Sequence, residues 1–286
     1  MVEGLGVQLR RIDLEVDAAR VAVFEVGAGE PCVLLHGYPQ SHACWRKIVP
    51  ALAAGRRVIA PDWFGWGASE RSFAQRPCFD DEVERLGLLL DRLGIDRANL
   101  FGHDYGGLIG LAFAAASPER VLRLALINTR AHRRPALGSY LGFSVGTWMA
   151  RTPGLRWLLT RWAHWIHLRV LGRYVRGGAF SQRELLGYLR WMQEPEGRRW
   201  FGHFWKHFRA GAHPELGAAA ERFRMPVALI WGVRDSMFPF SIARDLARRI
   251  PHAALVALDG DHYILEEKPE EVTAALLTLL EAAAPD

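Results

Sequence analysis

Leu100–Gly110 reads LFGHDYGGLIG. The apolar stretch ANLFG before Asp104 has the character of a short buried strand, and the apolar run Tyr105–Ala116 after it that of a helix. A sharp turn between a strand and a helix strains its central residue and tolerates only small side chains two positions to either side. Gly102 and Gly106 flank Asp104 at that spacing. The stretch therefore has the layout of a nucleophile elbow with an aspartate at its apex. A literal G-x-S-x-G occurs later, at Gly142–Gly146 around Ser144, but no buried strand precedes it. Asp104 is the expected nucleophile and Ser144 a chance match.

Working outward, residues 8–26 alternate apolar and polar about a turn at Asp17–Arg20, which predicts an antiparallel hairpin. PCVLLHG, RRVIAPD, VLRLALINT, PVALIWG and AALVALDG read as further short strands. Helical spacing is expected over Trp45–Ala54, over residues 80–94 and from about Pro269 to Ala283. Strands that alternate with helices imply an α/β fold: a mostly parallel eight-stranded sheet with helices on both faces. The alternation breaks once, between Arg130 and Arg222, where only helical stretches are found. This predicts a core of residues 1–129 and 223–286, and an inserted helical cap of residues 130–222. Ligands bind beyond the carboxyl ends of such strands, so the cap is expected to roof the site.

The 286 residues are half apolar, enough for a sizeable core. No run of 18 apolar residues and no secretory leader are visible, and Cys32, Cys44 and Cys78 show no C-x-x-C spacing. A cytoplasmic location with free thiols is the expectation. The net charge of +5 is unevenly spread: Arg130–Glu215 holds 15 Lys and Arg against 4 Asp and Glu, with 7 of the 11 tryptophans. This is read as an arginine-covered lid whose tryptophans pack inward. No nucleic-acid partner is expected, and contact with an anionic membrane surface is the alternative. His203 and His207 lie at i,i+4 on an expected helix, but no carboxylate or cysteine accompanies them, so no metal is expected.

Several motifs together carry a resemblance. His36–Pro39 reads HGYP, the elbow GHDYGG, and Pro61–Glu70 PDWFGWGASE. WGVRD ends in Asp235, and GDHYILEEKPEEV contains His262. The chain resembles the aspartate-nucleophile branch of the α/β-hydrolase superfamily, which holds epoxide hydrolases, haloalkane dehalogenases and fluoroacetate dehalogenases. The resemblance implies that Asp104 is the nucleophile, Asp235 the orienting acid and His262 the base. It also implies an oxyanion hole from the backbone N–H groups of Tyr38 and Tyr105, and no cofactor. Asp261, next to His262, is the rival acid, but side chains adjacent in sequence rarely face one another. His103 is expected to be structural.

An aspartate suits attack on saturated carbon, because its free pKa of about 3.9 leaves it ionised at neutral pH. The product is an alkyl ester, which His262 then hydrolyses by activating water. The leaving group divides the branch. Tyr105 and Tyr38 stand where haloalkane dehalogenases usually carry tryptophan and asparagine. Tyr105 and Leu108 stand where fluoroacetate dehalogenases carry arginines. Hydrolysis of a small apolar epoxide is therefore the first expectation and halide release the second. A non-catalytic ligand- or membrane-surface-binding protein is the third. In the cap, WAHWIH resembles the helix that carries the first epoxide-oxygen donor, with His164 as the best match beside Trp165. Trp205 falls at the second donor position, and Tyr140, Tyr174 and Tyr188 are further candidates. The expected partners are an apolar substrate and water, with the chain a monomer or homodimer.

Overall fold

The computed structural model describes residues 7–209 and 211–283. Eight strands form one sheet: β1 (Arg10–Val16), β2 (Ala19–Val26), β3 (Pro31–Leu35), β4 (Arg57–Pro61), β5 (Ala98–His103), β6 (Val121–Ile127), β7 (Val227–Gly232) and β8 (Ala254–Leu258). Their order is β1-β2-β4-β3-β5-β6-β7-β8, parallel except at the pairings of β2. The hairpin turns at Asp17 and Ala18, both at positive φ. β5 and β7 are buried along their whole length, which matches their unbroken apolar sequences.

The core helices are α1 (Val49–Ala53), α2 (Phe79–Arg92) and α3 (Tyr105–Ala116). The helix expected over Trp45–Ala54 is split into a short 3-10 turn at His42–Trp45 and α1. Pro50, which has no N–H to donate, sits in the first turn of α1 and marks the restart. α3 is buried on all sides from Tyr105 to Ala114, consistent with its lack of polar residues.

Between β6 and β7 the described residues form helices and no strand: α4 (Leu137–Arg151), α5 (Pro153–Arg176), α6 (Gln182–Leu189), α7 (Pro195–His207) and α8 (Pro214–Ala220). α4 to α7 pack on one another, while α8 packs on α3 and on α9 (Ser241–Arg249) of the core. The expected cap segment 130–222 thus contains one helix that belongs to the core's layer. After β8 come α10 (Ile264–Glu267) and α11 (Pro269–Glu281). α7 turns Trp200, Phe201, Phe204 and Trp205 inward. Phe204 meets Trp66 edge-on at 4.9 Å and stacks on Tyr38 at 5.7 Å, which joins cap to core beside the elbow.

The expectation that the cap tryptophans pack inward holds for only part of them. Trp191, Trp200 and Trp205 are buried, but Trp148, Trp157, Trp162 and Trp165 are exposed. α5 buries only Leu159, Ala163, Leu171 and Tyr174, and its indoles fall on the opposite face.

Candidate active site

The side chains expected to do chemistry converge at the carboxyl ends of β3, β5, β7 and β8. Asp104 follows β5 with φ 52° and ψ −117°, a strained conformation for a residue with a Cβ. Close packing around the elbow enforces glycine. A Cβ on Gly102 would lie 2.5 Å from the Gly106 carbonyl oxygen, and one on Gly106 would lie 2.2 Å from that of Leu35. A Cβ on Gly37 would lie 2.4 Å from the Asp104 Cβ. The turn after β3 is pinned by His36, whose Nδ1–H donates to the Gly37 carbonyl while Nε2 accepts from the Trp63 N–H. Asp62 in the PDWFGWGASE loop is structural, accepting from the backbone N–H groups of His42 and Ala68.

That turn aims the Tyr38 N–H at Asp104 Oδ1, 2.6 Å away. On the other side, His262 Nε2 lies 3.6 Å from Asp104 Oδ2. His262 Nδ1–H donates to Asp235 Oδ2 at 3.1 Å. Asp235 is held by four donors: the N–H groups of Met237 and Phe238 reach Oδ1, and Asn128 Nδ2 joins His262 at Oδ2. Asp261 instead accepts from Ser236 and from the His262 backbone N–H, and does not bond the imidazole. His103 turns away as expected and donates to the His262 carbonyl.

Electrostatics follow from this layout. Burial alone would drive His262 neutral, but the carboxylates of Asp235 and Asp104 outweigh it and push its pKa up to about 10. Burial also works against the ionised Asp104, yet the adjacent His262 and the Tyr38 N–H hold its pKa below the usual carboxylate range. The resting site is thus an aspartate–imidazolium–aspartate row.

Asp104 faces a cavity of about 30 Å³ lined by Tyr38, Tyr105, Arg130, Phe143, Phe204 and Trp205, among others. Tyr38, Phe143, Trp205 and Met237 also line an adjoining groove of about 360 Å³ between α4 and α5.

The structure brings Asp104, Asp235, His262, Tyr38, Tyr105 and Trp205 together. It does not bring His164 or Trp165, the expected leaving-group residues. His164 bonds Gln193 at the surface, Trp165 is exposed, and neither lines the cavity. His167, three residues further along α5, lies against Tyr38 instead. Its Nδ1–H donates to the Ala163 carbonyl, so its Nε2 must accept, and Tyr38 Oη–H donates to it at 2.5 Å. Burial lowers the His167 pKa to about 4, so the ring is neutral near pH 7. Trp205 Nε1–H approaches the Tyr38 oxygen at 3.4 Å. Tyr188 bonds Glu266 away from the site, while Tyr174 lines the groove. Ser144 lies within α4 and bonds the Tyr140 carbonyl, so no elbow forms there. His203 bonds the Gln75 carbonyl. Among the described residues no group of three or more His, Cys, Asp or Glu is placed to hold a metal.

Two further residues escaped the sequence reading. Asn128 is the fourth partner of Asp235. Arg130 is buried beside the cavity, donates to the Arg209 carbonyl and covers the Phe208 ring, and has no carboxylate partner among the described residues.

A family model described as "alpha/beta hydrolase fold" matches residues 30–269. The chain belongs to the α/β-hydrolase fold family. This hydrolase is 29% identical over 268 residues to haloalkane dehalogenase 2 of Mycobacterium tuberculosis, covering 90% of each chain. It is 27% identical over 268 residues to the cis-3-alkyl-4-alkyloxetan-2-one decarboxylase of Shewanella oneidensis, covering 86% of this chain and 80% of that one. The solved structure of the epoxide hydrolase CorEH without ligand superposes with a TM-score of 0.79 at 23% identity, over 96% of this chain and 99% of that chain, a likeness of fold.

Proposed function

We propose that this hydrolase opens small apolar epoxides through an alkyl ester of Asp104. The observation that carries this reading is the Tyr38 hydroxyl, an O–H donor bonded to His167 in the wall of the cavity that Asp104 faces. Burial raises the Tyr38 pKa well above that of a free phenol, so the hydroxyl keeps its proton. It is suited to hydrogen-bond a developing alkoxide once the O–H turns from His167 toward the cavity. The relative named for an oxetan-2-one substrate lends support, since that ring too is strained and contains oxygen.

In the first step an Asp104 oxygen attacks a ring carbon, the C–O bond breaks and the oxygen becomes an alkoxide. Esterification removes the Asp104 charge, and with it one of the two anions that hold the His262 proton. The proton released by His262 balances the one that the alkoxide takes up. Neutral His262, still held by Asp235, then draws a proton from water, which attacks the Asp104 carbonyl carbon. The N–H groups of Tyr38 and Tyr105 serve the resulting oxyanion. Collapse of that intermediate restores Asp104 and frees the diol.

Halide release is the second reading, favoured by Arg130, a buried cation without a carboxylate partner among the described residues, in the same cavity. A parallel screen of terminal epoxides and haloalkanes separates the two. Diol formation without halide release supports the first reading, and halide release with inert epoxides overturns it.

A further inference from the structure

α4 and α5 expose an apolar face that nothing in the described structure covers. On α4, Leu137 (72% exposed), Leu141, Val145 and Trp148 (60%) recur every three to four residues along one side. On α5, Trp157 (68%), Trp162, Trp165 (61%), Ile166 and Val170 are exposed as well, at less regular spacing. Scattered exposed apolar residues are ordinary, but nine on two helices that pack on one another, four of them indoles, mark an interaction surface.

The charges on the same helices specify the partner. Arg151, Arg156, Arg161, Arg169, Arg173 and Arg176 are exposed, and the sequence has no Asp or Glu between Glu119 and Glu184. Arg156, Arg161, Arg169 and Arg176 have no carboxylate partner among the described residues. A second copy docked by the same face would set arginine against arginine. Nucleic acid would leave the leucines, isoleucine and valines unmatched. An anionic lipid surface meets both demands: indoles and aliphatic chains enter the boundary between headgroups and acyl chains, and guanidinium groups pair with phosphates. No described helix is long and apolar enough to cross a membrane, so the face would lie on the bilayer.

The apolar face also holds the mouth of the groove. Gly138 and Gly142 on α4 and Ile166 and Val170 on α5 line it at the exposed end, and Tyr38 and Trp205 line its inner end beside Asp104. A Cβ on Gly138 or Gly142 would meet nothing within 4 Å, so these glycines leave the mouth wide.

We propose that the α4–α5 face docks this hydrolase onto an anionic bilayer, so that apolar substrate passes from lipid through the groove to Asp104. The docking stands independently of the epoxide reading, and only the entry route rests on it. The test uses the full chain and vesicles of phosphatidylcholine with or without about 30% phosphatidylglycerol. Binding is read by co-sedimentation and by the tryptophan emission maximum, not by turnover. The chain is expected to bind the anionic vesicles with a blue shift, to bind phosphatidylcholine alone at least about tenfold more weakly, and to be released when salt rises from about 0.1 to about 0.5 M. Trp157→Ser/Trp162→Ser and Arg156→Glu/Arg161→Glu/Arg169→Glu are each expected to weaken binding about tenfold or more, with the melting curve showing that each still folds. Failure to bind either vesicle overturns the proposal, as does binding indifferent to lipid charge or to both variants. Dimerisation that shifts the emission without lipid assigns the face to a second copy and overturns it equally.

Discussion

Replacing Asp235 by Asn changes one atom type in the row and has a consequence that the hydrogen bonds dictate. The Met237 and Phe238 N–H groups, 2.7 and 2.8 Å from Oδ1, both require an acceptor. The new amide must turn its oxygen to them, since the reverse orientation forfeits two hydrogen bonds of about 1 kcal/mol each. Its NH₂ then faces His262 Nδ1, which must become an acceptor, and the imidazole proton moves to Nε2. That nitrogen points at Asp104 Oδ2, 3.6 Å away, and can no longer take a proton from water. The same tautomer fault in a serine protease triad lowers kcat about 10,000-fold, about 5 kcal/mol of barrier. A loss of that order is expected here, confined to ester hydrolysis, because attack by Asp104 needs no base. Rapid-quench kinetics with an epoxide substrate should show a burst equal to the enzyme concentration, then slow turnover. The melting temperature should fall modestly: both backbone bonds survive, but the Asn128 amide loses its acceptor at Oδ2, at a cost of about 1–3 kcal/mol. Equal slowing of both steps without a burst, or turnover near wild type, would show that Asp235 does not set the His262 tautomer.

Tyr38→Phe removes the hydroxyl but keeps the backbone donor to Asp104, so single-turnover ester formation from an epoxide should slow about 100-fold. Ester hydrolysis should be unaffected, and His164→Ala should leave both rates unchanged. Arg130→Met should spare epoxide turnover if the first reading holds; a selective rise in KM for haloalkanes with loss of halide release would favour the second. His262 has a raised folded pKa, so its stabilising contribution is full below pH about 6.5 and fades as pH climbs through about 10. Denaturant unfolding should therefore show the advantage of wild type over His262→Gln shrinking across that window. Gly37→Ala should abolish activity and lower the melting temperature, because the new methyl would collide with the Asp104 side chain.

The fold was legible because its signals are local. Gly102, Gly106 and the apolar stretches on either side of Asp104 read as a strand, a turn and a helix without knowledge of the partners. Asp235 and His262 were named by the family resemblance of WGVRD and GDHYILEEKPEEV, and each closely follows an apolar strand. The cap resisted because helical periodicity fixes which residues share a face but not which face turns inward. His164 and His167 lie on neighbouring parts of one helix surface, and only the docking of α5 against Tyr38 selects the second. The tryptophans of α5 failed for the same reason: residues at every helical phase are apolar, so the pattern cannot name the buried side. Arg130 did carry a readable signal. It follows β6 by three residues, at the same sheet end as Asp104, where ligand-facing groups are expected.

The covalent ester of Asp104 can be trapped and weighed. His262→Gln protein is incubated with the epoxide that gives the fastest wild-type turnover, and its intact mass is recorded, followed by peptide mapping. A stable adduct of substrate mass is expected on the peptide carrying Asp104, absent from the His262→Gln/Asp104→Asn protein. An unmodified chain, or an adduct on Ser144, would contradict it.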